Sequence, residues 1–170
     1  MNGEISMLRI PGRILIDDKD KDFVAMFTHR MMQYGEKVIT ANSGKKMLEI
    51  LENVAIDVVI LDINKLDGDN LVTLTQIKIM RPIVEVILLT GHLSTATALQ
   101  GMKLGAFDSL TKPADFNDIK LMLEKARNRK DEHEERIRQA KERFLAQKND
   151  QENRLQQAEE RFLTQESGEV

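Results

Sequence analysis

The first 126 residues alternate between short apolar runs and segments whose apolar side chains recur at helical spacing. The runs predict strands over residues 13–16, 37–40, 57–61, 84–89 and 106–110. Each is followed by apolar residues three and four apart, which is typical of a helix that buries one face. Strict alternation requires parallel strands joined by right-handed crossovers. The pattern predicts a doubly wound α/β domain over residues 13–126, after a short lead at residues 1–12.

Residues with capping chemistry stand at the ends of the predicted helices. Gly35 and Gly105 follow the first and fourth helices, where a C-cap needs a residue free of Cβ strain. Ser43 can accept a hydrogen bond from the first turn of the second helix. Pro82 disfavours a helical conformation at Arg81 and so ends the third helix. Local chemistry and hydrophobic pattern therefore agree on the element boundaries.

The third predicted strand contains four consecutive branched apolar residues, from Val58 to Leu61, and is expected to be buried on both faces. Asp62 follows it directly. In an open parallel sheet, ligands bind in the crevice at the carboxyl ends of the strands. Asp62 alone is better explained as the first residue of a loop. The ends of the other strands change that interpretation.

Polar side chains also follow three other predicted strands: Asp17 and Asp18, Thr90, and Lys112. Each has an ordinary explanation as a cap or turn residue, but together they would converge on one edge of the sheet. Clustered carboxylates raise one another's pKa unless a cation lies among them. Oxygen ligands of this kind suit Mg²⁺. With a lysine and a hydroxyl nearby, the set predicts a phosphoryl site in which a carboxylate can act as nucleophile.

These segments resemble the receiver domain of two-component response regulators, over about residues 12–127. The motifs that carry the resemblance are the strand ends just described together with the runs at residues 14–18, 57–62, 88–91, 105–108 and 112–113. Their order and spacing both match the family. The resemblance implies a flavodoxin-like fold with strand order 2-1-3-4-5.

The resemblance also implies roles for individual residues. Asp62 would be the phosphoacceptor, with Mg²⁺ bound by Asp18, by Asp17 through water, by Asp62, and by the backbone carbonyl of Asn64. Thr90 and Lys112 would hold the phosphoryl oxygens, and the Lys112–Pro113 bond would be cis. The phosphoryl group would come from a histidine kinase or a phosphotransfer protein. Such a domain is not a conventional enzyme, although it can catalyse its own phosphorylation and dephosphorylation.

Three positions depart from the family pattern. Leu66 replaces a proline in the loop after the phosphoacceptor, and Asn70 replaces a glycine near the start of the third helix. Ser109 replaces the aromatic residue whose rotation usually accompanies phosphorylation, so the usual switch cannot operate in its usual form. His92 lies two residues after Thr90, at a position that influences attack by water in the family, although simple exposure is the more ordinary explanation.

Composition narrows the class of protein. The net charge is −3, which provides no electrostatic footprint for nucleic acid. There are no cysteines, which excludes a disulfide framework and a thiolate metal site. No apolar run approaches the length of a membrane span, and the N-terminus has no signal-peptide pattern. We therefore expect a cytoplasmic protein without nucleic-acid or membrane partners.

From residue 127 the composition changes to that of a charged helical tail, predicted over 127–170. Residues 127–166 contain ten basic and ten acidic side chains and no Pro or Gly. Residues 137–147 recur as 155–165, shifted by 18 positions, or five helical turns. The last helix of the domain is expected to continue into this coiled-coil-like tail, with its weak point at residues 148–150. One face carries the predicted interface residues Ile137, Phe144, Leu155 and Phe162.

Several alternatives remain at this stage. The tail face can pack against a second copy of the chain or another helix, or the tail can be a frayed, solvated helix. The domain can be a receiver-like adaptor that is never phosphorylated and acts through its tail, an interpretation that Ser109 supports. A hydrolase of the haloacid dehalogenase type also forms an aspartyl-phosphate. That chemistry usually needs a second Asp two residues after the nucleophile, where this chain has Asn64.

Overall fold

A computed structural model describes residues 12–63, 69–91 and 95–166. In these parts of the chain, strands and helices alternate as β1 (Arg13–Asp17), α1 (Lys21–Gln33), β2 (Lys37–Ala41), α2 (Gly44–Asn53), β3 (Val58–Ile63), α3 (Asp69–Met80), β4 (Glu85–Thr90), α4 (Thr95–Lys103), β5 (Asp108–Thr111) and α5 (Phe116–Glu166). The strands form one parallel sheet in the order β2-β1-β3-β4-β5. The predicted fold class and strand order are confirmed.

The sheet has a hydrophobic core on each face. Helices α2 and α3 cover one face, where Met47, Leu51, Leu74 and Ile77 are fully buried. Helices α1 and α5 cover the other, with Phe27, Met31, Ile119, Leu123 and Ala126. Strands β3 and β4 are buried along their whole length because they lie between both layers.

The predicted caps are present. The side chain of Ser43 accepts a hydrogen bond from the backbone N–H of Lys46. Gly35 and Gly105 both have positive φ, 76° and 101°, which a residue with a Cβ adopts only with strain. Helix α1 begins two residues later than the predicted Lys19, because Asp20 is its N-cap and accepts from Phe23.

All five strands differ from the sequence prediction by one or two residues, and the differences are largest in β3 and β5. Strand β3 extends through Asp62 to Ile63, so Asp62 lies within the buried strand rather than after it. Both residues find partners in β4, Asp62 beside Leu89 and Ile63 beside Thr90, and this pairing lengthens the strand. Strand β5 is shorter than predicted and begins at Asp108, because its pairing with β4 begins only there.

Helix α5 is one element from Phe116 to Glu166, so the predicted continuation through residues 148–150 is confirmed. The contacts divide the chain into a unit that ends at Asp131 and a unit that begins at Glu132. In the first unit α5 buries one face against the sheet. In the second unit every described side chain from Glu134 to Gln165 is exposed. The lead predicted at residues 1–12 lies outside the described residues except for Gly12.

Three basic side chains of α5 pair with carboxylates at the amino end of the sheet. Arg127 pairs with Glu36 just before β2, Lys130 with Asp57 just before β3, and Arg129 with Glu85 at the start of β4. Glu85 is completely buried, and Arg127 and Lys130 are nearly so. These pairs connect the helix to the amino ends of β2, β3 and β4, at the edge opposite to the predicted site. No helix in the described part of the chain is both long enough and apolar enough for a membrane span.

Candidate functional site

The strand register brings the predicted carboxylates to the carboxyl edge of the sheet. Asp17 is the last residue of β1 and pairs with Leu61 of β3. The next residues on the two strands, Asp18 and Asp62, therefore come to the same level. Both are buried, with 9% and 8% of their surface exposed. Carboxylates so poorly hydrated need compensation from a positive charge or from hydrogen bonds.

Lys112 provides that compensation. Its ammonium Nζ lies 2.6 Å from Asp18 Oδ2 and 3.2 Å from Asp62 Oδ2, so one cation is shared between two carboxylates. The lysine comes just after β5, and its backbone N–H donates to the carbonyl of Thr90. The Lys112–Pro113 peptide bond is cis, as the resemblance implied. The Lys112 ammonium also lies 5.6 Å from the ring centre of Phe23 on helix α1.

One shared ammonium does not offset all the negative charge at this edge. Burial, and then the charge of Asp18, raise the pKa of Asp62, against the opposing effect of Lys112. Burial, followed by the charges of Asp18 and Asp62, also raises the pKa of Asp17. The site therefore retains an unfavourable excess of negative charge, which an additional cation would relieve.

Backbone hydrogen bonds fix the acidic residues in place. The N–H of Asp20 donates to Asp18 Oδ1 at 2.8 Å, and the N–H of Lys19 donates to the carboxylate of Asp62. On the other side of Asp62, the buried hydroxyl of Thr90 donates to the carbonyl of Leu110 over 3.4 Å. Because that contact is long, we expect the Thr90 hydroxyl to be readily available to another acceptor.

Asn70 has a structural role that sequence reasoning missed. Its side-chain amide donates a hydrogen bond to the backbone carbonyl of Asp62. The sequence singled it out only as a replacement for glycine, without a contact to the site. Glycine could not make this bond, so the replacement adds a direct connection between the first turn of α3 and the strand that carries Asp62. An amide eight residues after a strand-end Asp gives too weak a signal for this pairing to be predicted.

Ser109 lies in the middle of β5, is half-buried, and pairs with Leu88 of β4. Its N–H donates to Asp108 Oδ1. The serine side chain carries one oxygen where the family has a ring, so it cannot fill the same volume beside Thr90. Three residues of interest, Asn64, Leu66 and His92, lie outside the described residues.

The donor set fits Mg²⁺ in its chemistry. Mg²⁺ usually takes one or two carboxylates and keeps several waters, and two buried carboxylates with an excess of negative charge meet that need. In the described parts of the chain, no three His, Cys, Asp or Glu side chains stand close enough together to form a metal centre by themselves. The Lys112 ammonium lies between Asp18 and Asp62 and partly neutralises their negative charge.

An open cavity of about 930 Å³ adjoins Asp17 and Asp18. It lies between α1 and the end of β2, and its lining includes Asp17, Asp18, Val24, Thr28 and Lys46. Along α1 its lining mixes polar with apolar side chains.

Comparison with known proteins decides the family. The family model described as "Response regulator receiver domain" matches residues 14–124. This chain belongs to the response regulator receiver family. The match covers the five strands except Arg13, and α5 as far as residue 124, and it confirms the resemblance inferred from the strand-end residues.

Individual relatives agree with this membership. The chain is 34% identical over 113 residues to the transcriptional regulatory protein ZraR of Escherichia coli, covering 66% of this chain and 26% of that protein. It is 29% identical over 115 residues to the regulatory protein AtoC of the same organism, covering 68% of this chain and 25% of that protein. The chain thus spans about a quarter of the length of these relatives.

Solved structures show the same fold. A response regulator receiver domain protein from Clostridium thermocellum is 34% identical, with a TM-score of 0.65, over 71% of this chain and 97% of that one. NtrX from Brucella abortus is 27% identical, with a TM-score of 0.68, over 74% of this chain and 29% of that one. Both likenesses concern the receiver portion of the chain.

Proposed function

We propose that Asp62 accepts a phosphoryl group from a phosphohistidine of a partner histidine kinase or phosphotransfer protein. The observation that carries this proposal is the convergence of two buried carboxylates on one ammonium at the carboxyl edge of the sheet. In a domain of the receiver family, such a cluster keeps negative charge in a buried position at a cost in stability. That cost is expected where the charge has a chemical role.

The chemistry follows from the groups present. A carboxylate oxygen of Asp62 attacks phosphorus, the bond from phosphorus to the imidazole nitrogen breaks, and the nitrogen keeps the electron pair. Charge then accumulates on the three phosphoryl oxygens. Lys112 can transfer its contact from the Asp62 carboxylate to one of these oxygens, and the hydroxyl of Thr90 can donate to another. Asp17, Asp18 and Asp62, with Asn64, would hold Mg²⁺, which supplies charge neutralisation for the transfer.

Phosphorylation from a small donor tests the assignment. With acetyl phosphate and Mg²⁺, the intact mass should increase by one base-labile phosphoryl group, and removal of Mg²⁺ by a chelator should prevent the increase. Asp62→Asn should abolish the gain, and Asp18→Ala should also abolish it by weakening Mg²⁺ binding. Lys112→Ala should mainly impair the response to phosphorylation.

The matched control is Asp118→Asn, which makes the same chemical change at an exposed carboxylate in the first turn of α5. It should be phosphorylated like the wild type. A normal mass gain in Asp62→Asn would exclude Asp62 as the acceptor. A wild type that never gains mass would favour the second candidate, an adaptor that is never phosphorylated and acts through its tail.

Ser109 predicts a reduced conformational response. A two-state domain shifts only as far as the ligand's preference for one state drives it, and an inward-turning aromatic is one large differential contact that this chain lacks. We expect small changes in amide chemical shift on the face formed by α4 and β5 when beryllofluoride is added. Ser109→Tyr should enlarge them, whereas large shifts in the wild type would contradict this view.

We also propose that the phosphorylated chain signals through contacts with other proteins. The relatives named above are called regulatory proteins, and this chain matches only a quarter of their length. Residues 127–166 of the tail contain ten basic and ten acidic side chains, so contact with protein is a better use for this balanced segment than contact with nucleic acid. That the chain has no nucleic-acid or membrane partner stays a prediction, made from composition alone.

A further inference from the structure

The tail carries an apolar stripe that a single chain leaves in solvent. Its large apolar side chains are between 44% and 66% exposed. They are Ile137, Phe144, Leu145, Leu155, Phe162 and Leu163. A lone helix cannot cover its own face, and weak pairs along its surface do not hold a long helix in water. Exposed apolar groups in such a row mark an interaction surface.

The 18-residue repeat makes this stripe straight. Ile137, Ala140 and Phe144 in the first copy correspond to Leu155, Ala158 and Phe162 in the second. Eighteen residues complete five turns at 3.6 residues per turn, so both apolar clusters face the same way without supercoiling. The linking positions on this face are Gln147 and Gln151. The surface therefore consists of two apolar clusters separated by a polar gap.

We propose that this surface pairs with the same surface of a second copy of the chain, in antiparallel orientation centred between Asn149 and Asp150. The first apolar cluster of each chain then meets the second cluster of the other. Ile137 comes opposite Phe162, and Phe144 comes opposite Leu155. Each ring meets an aliphatic side chain of the other helix. A parallel pair would instead place ring against ring and glutamine against the same glutamine.

The polar gap also matches itself in this register. Gln147 of one chain comes opposite Gln151 of the other, at the centre of the contact. Each side-chain amide has both donors and an acceptor, so the glutamines can hydrogen-bond across the interface. A displacement by one repeat would leave one apolar cluster on each chain uncovered. The central glutamines therefore help to fix the register.

The opposite net charges of the two halves of the tail favour the antiparallel orientation. Residues 133–149 contain five basic and three acidic side chains, whereas residues 150–166 contain two basic and five acidic. Antiparallel pairing places the positive half of each helix along the negative half of the other, with Lys141 near Glu159 and Lys148 near Glu152. Parallel pairing would align halves of like charge and bring Arg143 close to Lys148. On one flank of the antiparallel pair Arg143 lies level with Arg154 and Arg136 lies level with Arg161, so the attraction is partial and falls with salt.

Sedimentation equilibrium of the full chain tests the pairing. The wild type should be dimeric at high concentration, and Phe144→Ala with Phe162→Ala should make it monomeric. The matched control is Gln139→Ala with Gln157→Ala, a pair with the same spacing on the opposite face, which should remain dimeric. Asp62→Asn should also remain dimeric, because the pairing does not depend on phosphorylation. A monomeric wild type, or a dimer that survives loss of both rings, would overturn the proposal.

Cysteine crosslinking tests the orientation, since the natural chain contains no cysteine. In the antiparallel register Ala140 of one chain lies close to Ala158 of the other, whereas two Ala140 residues lie about 27 Å apart along the axis. A mixture of Ala140→Cys and Ala158→Cys chains should therefore form a disulfide between unlike chains, and neither variant alone should crosslink. Self-crosslinking of each variant, without crosslinking between the two, would mean a parallel pair and would overturn the proposed orientation.

Discussion

Two arginines of helix α5 each bond a glutamate at the same pair of distances but in opposite environments. Arg127 bonds Glu36 through two nitrogens at 2.7 and 2.9 Å, and Arg138 bonds Glu135 through two nitrogens at the same distances. The side chains of the first pair are 6% and 17% exposed, and those of the second are 61% and 46% exposed. The first pair joins parts of the chain 91 positions apart, and the second joins residues within one helical turn.

The comparison shows that distance alone does not determine what an ion pair contributes. Water screens the exposed pair and can replace either partner, so its loss matters little. The buried pair has given up its hydration, and removal of one member leaves the other charge without compensation. The same contrast applies to the two parts of the helix, since the first part packs on the hydrophobic core and the exposed second part has only local pairs within its own chain.

The largest expected effect is that of Arg127→Ala. This change strands the carboxylate of Glu36 and removes a guanidinium packed over Gly12. The free energy of unfolding should fall by about 3 kcal/mol, the lower end of the range for broken buried pairs. Urea unfolding can be followed by the fluorescence of Tyr34, the only tyrosine in a chain without tryptophan. Its ring stacks on Phe116, so the signal reports on the domain and not on the tail.

A double-mutant cycle with Glu36→Ala sharpens this test. The double variant should be less destabilised than the sum of the two single changes, because no charge is left unpaired. Additive effects would mean that the two side chains contribute through packing alone, and the contrast with the tail would then lose its electrostatic basis.

A smaller effect of opposite sign is expected for Asp62→Asn without Mg²⁺. The pKa of Asp62 is raised above its ordinary value of 3.8 by burial and then by Asp18, so the folded protein holds its proton more strongly than the unfolded chain. Stability is therefore lost as pH rises from about this value, and the loss persists at neutral pH. Removal of the charge should increase the free energy of unfolding by about 1 kcal/mol at pH 7, a gain of the size typical for relief of a functional site.

Urea unfolding at pH 7 and pH 4 checks the sign of that effect. The advantage of Asp62→Asn should shrink toward pH 4, where the wild-type carboxyl becomes protonated in the folded state. Asp118→Asn should show neither the gain nor its pH dependence. A destabilised Asp62→Asn at pH 7 would mean that the pairing with Lys112 outweighs burial and repulsion.

The smallest expected effect is that of Arg138→Ala, the counterpart of Arg127→Ala on the same helix. The change removes the exposed pairs with Glu135 and Glu142, and alanine favours the helix. Unfolding of the domain, followed through Tyr34, should be indistinguishable from wild type. A loss comparable with that of Arg127→Ala would contradict the distinction between buried and exposed pairs.

The architecture could be predicted from the amino-acid sequence, because the relevant signals are local. The spacing of apolar residues distinguishes strands from helices, and Ser43, Gly35 and Gly105 mark element ends through capping chemistry. Parallel strands necessarily bring their carboxyl ends to one edge, which made the convergence of Asp18, Asp62 and Lys112 predictable. The continuity of α5 was predictable because residues 114–167 contain neither Pro nor Gly.

Which charges are paired and buried could not be predicted in this way, because it depends on how distant elements pack together. The partners of Arg127, Lys130 and Arg129 are Glu36, Asp57 and Glu85, which are far away in sequence and carry no motif. The sharing of Lys112 between Asp18 and Asp62, and the bond from Asn70 to the Asp62 carbonyl, depend on how elements meet in space. Long-range pairs leave no periodic trace in a sequence, because their geometry is set by the packing of whole helices on the sheet.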